Sequence, residues 1–362
     1  MKKILIILFL LPLLAFGLSP FLSLILSSPL RDHNYREIIK YVIASEEARG
    51  LQSDSEIAKQ LFYYAAKNTL MNPGNLTPYD DKDLGYLING LVYCDYLSDI
   101  LATLCAQKGI PARYCMLKDK DGVSPHTLTE ILLDGKWRVF DAGEFCYYAT
   151  RGGDLATLED LSADPQLVFE HKRMQKIREV SLADYNAMRD NYARMFPLPS
   201  QPQRSSSKIK RITPFDRVGY FYYDLFGKRF LRAYQDAYLA IKTKSMGEMQ
   251  RLYYIARSYH LTHRTEEAVA AYNNLIERYP DSDYSNRALL FLAVLYMDQK
   301  KDYLRAIQSL DTLVNKPENV YKKYAFYYLG VCWRELKEET LAEECFDKGG
   351  LIFVKLDPAL AN

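Results

Sequence analysis

Four positions recur in register through the second half of the chain, and they constrain its fold more than any other feature. The first of them is a small residue repeated at intervals of 37, at 256, 293 and 330. Small residues let two helices approach closely, and aromatic residues beside them can fill the groove, so the pattern predicts stacked helix pairs. Each of the four positions is occupied by a set of three residues: Ala256, Ala293 and Gly330; Tyr259, Tyr296 and Trp333; Ala268, Ala306 and Ala342; and Tyr272, Leu310 and Phe346.

This pattern resembles the tetratricopeptide repeat over roughly residues 248–353, although that repeat has a usual period of about 34 residues. The residues by which the observed period exceeds the usual one can be placed in turns such as 299–302. Pro280 and Pro317 close the first two units, since proline stops a helix. The resemblance implies three units, about the minimum for a stable stack, and a surface that binds a partner protein or peptide. An unrelated array of helical hairpins is the alternative.

The chain of 362 residues is too long for one ordinary core, and its composition divides it in two. Residues 197–214 are rich in Pro and Ser and have the composition of a linker. Residues 215–247 are predicted to be a helical, aromatic-rich connector to the repeats. Residues 31–196 are predicted to form a first domain, in which Ser53 and Glu56 give a capping-box pattern at the start of a helix.

Local patterns in this first domain predict a helix followed by a hairpin. Residues 94–108 are predicted to be a helix that ends at Gly109. The dipeptide Asp134-Gly135 is typical of a tight turn between two strands. Two segments alternate enough to be strands, 113–118 and 127–133, and 137–140 is predicted to be the next strand.

Cys94, His126 and Asp141 are the residues that can carry chemistry. Cys94 begins the predicted helix, where unpaired N–H groups and a partial positive charge favour a thiolate. His126 and Asp141 would lie on adjacent antiparallel strands, so the carboxylate can orient the imidazole while the other ring nitrogen faces Cys94. Singly, each has a structural explanation: a buried or disulfide-bonded cysteine, a hydrogen-bonded histidine and an aspartate that caps a turn. Their order and spacing favour the catalytic interpretation.

In residues 85–145 the chain resembles the transglutaminase-like superfamily. The pattern of that family consists of a Cys that starts a helix, a Gly-Ile-Pro-Ala-Arg turn, a His that starts a strand and an Asp that follows a Trp-containing strand. In this chain the turn is 109–113 and the Trp-containing strand is 137–140. The resemblance implies an α+β papain-like domain. Within the pattern, Arg113 and Trp137 are interpreted as structural.

The resemblance also implies thiol acyl chemistry on an amide or peptide bond. Cys94 would attack the carbonyl and form a thioester, and His126 would move the proton, with Asp141 as the orienting carboxylate. Water would resolve the thioester in a hydrolase and an amine in an acyltransferase. The Cys94 backbone N–H is one candidate oxyanion donor. The family often has a small residue and Trp after its His, whereas Thr127 and Leu128 follow here, which affects the substrate channel rather than the three residues.

The N-terminus predicts export. Lys2 and Lys3 precede a charge-free run over 4–30 that is long enough to cross a bilayer as a helix. A signal peptide has a shorter apolar region, and 15–17 is a passable cleavage site. We therefore expect 1–30 to be a signal anchor or a cleaved signal peptide, with the body of the protein outside the cytoplasm, in the periplasm if the source is Gram-negative.

Charge and cysteine usage limit the remaining function classes. A net charge of +2 indicates no nucleic-acid partner. No Cys and His cluster has zinc spacing, so neither a metal nor another cofactor is expected. His260 and His263 are interpreted as surface residues. Six cysteines in an exported chain can form disulfides, but free buried cysteines are the alternative.

Together these patterns predict a fold class and a function. The fold is an α+β papain-like, transglutaminase-like domain followed by an all-α tetratricopeptide-like repeat domain, with an N-terminal membrane segment. The function is that of an exported cysteine enzyme with a protein or peptide substrate and partner-binding repeats. A catalytically silent exported tetratricopeptide scaffold is the alternative.

Overall fold

The computed structural model describes residues 19–44, 50, 53–71, 85–196, 203–206, 235–236, 239–240, 242–317 and 319–356. Of the predicted membrane segment 4–30, residues 4–18 lie outside this description, as do most of the predicted linker 197–214 and connector 215–247. In the described parts of the chain, no helix is both long and apolar enough to cross a membrane.

The first half of the chain folds into helices around two small sheets. Its helices are α1 (Ser19–Ala44), α2 (Asp54–Lys67), α3 (Gly85–Asn89), α4 (Cys94–Lys108), α5 (Leu158–Ala163), α6 (Gln166–Phe169), α7 (Lys172–Val180) and α8 (Leu182–Met195). Its strands are β1 (Leu70–Met71), β2 (Leu91–Val92), β3 (Ala112–Leu117), β4 (His126–Leu133), β5 (Lys136–Asp141), β6 (Cys146–Tyr147) and β7 (Gln203–Ser206).

The larger sheet has five antiparallel strands in the order β6-β5-β4-β3-β7, and α4 packs on β3 and β4. The predicted hairpin is present, and its turn residues Asp134 and Gly135 have φ of 49° and 74°. Two consecutive positive φ values are what a two-residue hairpin turn of the common twisted type requires. Helix α4 has the predicted bounds, and Gly109 ends it in the left-handed conformation. The capping box that joins Ser53 and Glu56 is also present.

Part of the predicted linker belongs to the sheet instead. Strand β7 pairs antiparallel with β3, and its Arg204 donates from Nε to Oε2 of Glu130 at 2.8 Å. Glu130 is fully buried on β4 and also accepts from Arg113 at 2.8 Å. A buried carboxylate needs such partners, so the tertiary contact gives order to a stretch whose composition is that of a linker. Arg113 also stacks on Trp137, 3.8 Å from the ring centroid, so both make structural contacts.

Within its described residues, the second half contains three helix pairs. Their helices are α9 (Glu248–Leu261), α10 (Thr265–Arg278), α11 (Asp283–Leu295), α12 (Tyr303–Val314), α13 (Lys322–Glu335) and α14 (Glu339–Gly349), followed by α15 (Leu351–Leu356). The small positions let the helices approach, since Ala256 and Ala293 are fully buried and a Cβ on Gly330 would lie 2.5 Å from the Phe346 ring. Part of the excess over the usual period is a π-helical turn, Tyr296–Lys300, that extends α11.

The two halves pack together. Tyr254 and Leu261 of α9 belong to the same apolar core as Ile38 and Phe62 of the first domain. The interpretation of His260 as a surface residue was wrong: it is buried, with Nδ1 3.1 Å from the Tyr272 hydroxyl oxygen. His263 was likewise not a simple surface residue, because it stacks on Tyr41 with 4.0 Å between ring centroids. Burial lowers the pKa of His263 to about 4.

Candidate active site

Cys94 is the first residue of α4. The preceding residue, Tyr93, is extended and accepts the first intrahelical hydrogen bond from Leu97 at 3.0 Å. The thiol therefore lies at the end of the helix where unpaired N–H groups create a partial positive charge. Cys94 is also partly exposed, which leaves it accessible to a substrate.

His126 and Asp141 come from neighbouring strands. The β4–β5 register pairs Thr129 with Phe140, which makes His126 and Asp141 diagonal neighbours on one face. His126 Nε2 lies 2.9 Å from Asp141 Oδ1. Because Nε2 is engaged by the carboxylate, Nδ1 is the ring nitrogen left for Cys94. Cys94 lies beside this ring, since His126 Cε1 and Cys94 Cβ are 2.9 Å and 3.1 Å from the position that a Cβ on Gly143 would take. The structure thus brings all three predicted residues together.

Gly143 forms a wall of this site. A Cβ at Gly143 would lie 2.9 Å from His126 Cε1 and 3.1 Å from Cys94 Cβ. Neither distance is normal for a Cβ contact, so a side chain here would displace the imidazole or the cysteine. Gly143 lies in the turn that joins β5 to β6, two residues after Asp141, and the pattern of the predicted hairpin does not identify it.

Two tyrosines complete the surroundings of Asp141. Its Oδ1 accepts from the Glu144 backbone N–H at 3.0 Å, and its Oδ2 accepts from the Tyr148 hydroxyl at 3.1 Å. The Tyr192 hydroxyl also donates to Oδ2, and its oxygen lies 3.3 Å from His126 Nε2. These tyrosines were missed by sequence reasoning. Tyr192 lies on α8, and no short motif links a residue there to the hairpin.

The buried carboxylate is held in its charged form. Burial alone raises the pKa of Asp141, but the charge of His126 and the hydrogen bonds from His126, Tyr192 and Glu144 outweigh it, and the pKa lies below its ordinary value. The two tyrosines remain protonated donors because burial raises the pKa of Tyr148 and of Tyr192 well above the ordinary value.

The imidazole is held in its protonated form. Burial lowers the pKa of His126, but Asp141 and then Cys94 raise it, and the pKa lies well above its ordinary value. The arrangement can therefore place a proton donor beside a sulfur nucleophile.

The other cysteines lack this setting. All six cysteines are free in the structure. Burial raises the pKa of Cys115 to about 12, and it also raises the pKa of the fully buried Cys105 and Cys146. A thiol that stays protonated is a poor nucleophile, so Cys94 is the best placed for chemistry. Within the described ranges, no group of His, Cys, Asp and Glu could hold a metal ion.

Comparison with known families identifies two regions of the chain. Residues 43–142 match the transglutaminase-like superfamily, and this range includes Cys94, His126 and Asp141. Residues 252–282 match a tetratricopeptide repeat. Neither the curated proteins nor the solved structures include one that matches the chain. The chain therefore carries a transglutaminase-like domain followed by a tetratricopeptide repeat, the architecture that its sequence predicts.

Proposed function

We propose that this protein is a cysteine enzyme that cleaves amide or peptide bonds through Cys94, His126 and Asp141. One observation carries the proposal: Asp141 engages one nitrogen of His126 at 2.9 Å, while Cys94, at a helix N-terminus, lies beside the same ring next to Gly143. This is the arrangement expected of a nucleophile, a base and an orienting carboxylate.

In the proposed first half-reaction, Cys94 is the nucleophile. The Cys94 thiolate attacks the carbonyl carbon of a carboxamide or peptide bond, and the carbonyl electrons move onto oxygen. As the C–N bond breaks, the His126 imidazolium gives its proton to the leaving nitrogen, which departs as ammonia or an amine. The acyl group remains on Cys94 as a thioester, and Asp141 keeps the ring oriented.

The second half-reaction releases the acyl group. Neutral His126 takes a proton from a water molecule or an amine, and that nucleophile attacks the thioester carbonyl. The C–S bond breaks, and the thiolate–imidazolium pair is restored. Water gives a carboxylic acid, and an amine gives a new amide. A partly exposed Cys94 is accessible to both nucleophiles.

The reaction can be tested with a protein substrate. The full chain is incubated with reduced casein, with and without a fluorescent primary amine. We expect a product that depends on Cys94: amine incorporation indicates acyl transfer, whereas ammonia or new N-termini without incorporation indicate hydrolysis. Cys94→Ala should abolish either product, and Cys105→Ala is the matched control that should keep it. If no product depended on Cys94, the silent-scaffold interpretation would be favoured.

The tetratricopeptide repeat indicates protein–protein interaction. We propose in addition that the repeats bind a protein partner or the substrate.

We also propose that the body of the protein lies outside the cytoplasm. The charge-free run over 4–30, after Lys2 and Lys3, motivates this proposal. Protease added to intact spheroplasts should then degrade the chain. Complete protection there, with degradation only after lysis, would contradict export.

A further inference from the structure

The segment that leads into Cys94 is bound by the repeat helices. Before Cys94 the chain passes through Asn89, the turn at Gly90 and strand β2, which pairs in parallel with β1. The two strands are joined at their start by a hydrogen bond from the Leu70 N–H to the Gly90 carbonyl at 2.7 Å. Any contact that fixes the starts of β1 and β2 therefore also fixes the approach to Cys94.

Two repeat side chains hold Asn89. The Tyr253 hydroxyl of α9 donates to the Asn89 carbonyl at 3.0 Å, and Arg287 Nη1 of α11 donates to Asn89 Oδ1 at 3.0 Å. Asn89 is buried, and its own amide donates to the Leu91 carbonyl at 3.0 Å. The side chain and the backbone of Asn89 are therefore both held, from two different helices.

A second arginine holds the start of β1 in the same way. Arg257 of α9 is fully buried and donates to the Asn68 carbonyl at 2.7 Å. Its other hydrogen-bond partners are Asn68 Oδ1 and His260, and its guanidinium lies 3.8 Å from the centroid of the Phe291 ring. Burial and the charge of Arg257 lower the pKa of His260, so this partner is neutral.

The turn at Gly90 also fits closely against the repeats. Gly90 has φ of 73°, a conformation that favours glycine, and a Cβ there would lie 2.6 Å from two carbons of the Phe291 ring. The aromatic ring therefore occupies the space in which any other residue would place its side chain. The backbone of the turn and the α11 surface are in direct contact, four residues before Cys94.

A buried guanidinium is costly unless the surrounding groups satisfy it, because its solvation by water is lost. Arg257 and Arg287 find their interdomain partners on the two turns that begin β1 and β2. The hydrogen bonds between the repeat helices and these two turns therefore satisfy buried polar groups on both sides. This is unlike a domain contact made only by apolar side chains, which has little directional preference. Residues 89–93, which lead from the second turn into Cys94, form the nucleophile segment.

We propose that this face of the repeats is a docking surface whose occupant is the nucleophile segment of the same chain, and that the repeats thereby position Cys94. The docking surface consists of Tyr253, Arg257, Arg287 and Phe291. Tyr253 and Arg287 are positioning residues, since they act through Asn89 and not on the substrate. The proposal rests on the proposed role of Cys94 as nucleophile. It also implies that a partner that displaces these helices changes the reactivity of Cys94.

The test compares hydroxyl and guanidinium deletions inside and outside the docking surface. In the full-length chain, Tyr253→Phe and Arg287→Met are compared with Tyr279→Phe and Arg278→Met. The control residues Tyr279 and Arg278 also donate hydrogen bonds, but they donate them to the exposed Glu248 within the repeats. The readout is the rate of iodoacetamide alkylation of Cys94, resolved by peptide mass spectrometry, with the partly exposed Cys345 as internal reference.

We expect Tyr253→Phe to slow alkylation of Cys94 by roughly threefold to tenfold, the effect of losing one hydrogen bond, and Arg287→Met to slow it further. Cys345 and both controls should be unchanged. Tyr253→Phe is the decisive variant because it keeps the ring packed. An unchanged Cys94 rate in Tyr253→Phe, or an equal loss in the controls, would overturn the proposal. If Cys94 in the unaltered chain reacted no faster than Cys345, the proposed catalytic role would fail instead.

Discussion

The charge state of His126 depends chiefly on Asp141. Burial lowers the pKa of His126, and the interactions with Asp141 and then with Cys94 raise it above the ordinary value. In Asp141→Asn the largest of the raising interactions is lost and burial remains, so the pKa of His126 should fall. At pH 7 the ring would then be neutral, and the acyl-transfer rate should fall by roughly 10²-fold or more.

NMR titration of ¹⁵N-labelled histidine measures this shift directly. The chain has five histidines, and His126→Gln identifies the resonance of His126. In the unaltered chain the ring should remain protonated as the pH rises through 7, and in Asp141→Asn it should be neutral there. Equal titration of the two proteins would show that Asp141 does not control the imidazole.

Tyr192 helps to lower the pKa of the Asp141 carboxylate. Its hydroxyl donates to Asp141 Oδ2, and removal of a hydrogen bond to a charged group costs about 1.5–3 kcal/mol. Tyr192→Phe should therefore raise the pKa of Asp141, since the charged form loses a donor. The ¹³Cγ resonance of Asp141 reports this value. Tyr185→Phe, a buried tyrosine on the same helix, is the control and should leave the pKa unchanged.

The elements with strong local signals were predictable. Helix α4 begins and ends at the predicted residues, because a left-handed glycine ends it and its first residue begins a clear apolar pattern. Strands β3, β4 and β5 lie within one residue of the predicted bounds, since their alternation and the Asp134-Gly135 turn fix the register. This register alone is enough to bring His126 and Asp141 together.

Elements that depend on distant partners were not predictable. Strand β7 has the sequence Gln-Arg-Ser-Ser, with no apolar alternation, and pairs with β3 where its Arg204 reaches the buried Glu130. Helix α8 has no motif that links it to the site, but its Tyr192 reaches across to Asp141. Neither contact has a local sequence pattern, because each depends on residues more than fifty positions apart in the chain.

The packing of the two halves of the molecule on each other has no signal in the sequence patterns. Arg257 and Arg287 on amphipathic helices would ordinarily face solvent, yet both are buried against the first domain. His260 was misjudged for the same reason, since it lies beside Arg257 in this contact. The family match of the first domain ends at residue 142. The site itself also includes Tyr192, which contacts Asp141, and the repeats contact the segment that leads into Cys94.

The central claim is that Cys94 is a thiolate nucleophile paired with His126. The most direct test is the rate of Cys94 alkylation by iodoacetamide at pH 6, measured by peptide mass spectrometry with N-acetylcysteine in the same tube. An ordinary thiol with a pKa near 8.5 is almost entirely protonated at this pH. We predict that Cys94 reacts at least about tenfold faster than N-acetylcysteine and that His126→Gln removes this advantage. A Cys94 that reacts no faster than the free thiol, or equally fast in His126→Gln, would contradict the claim.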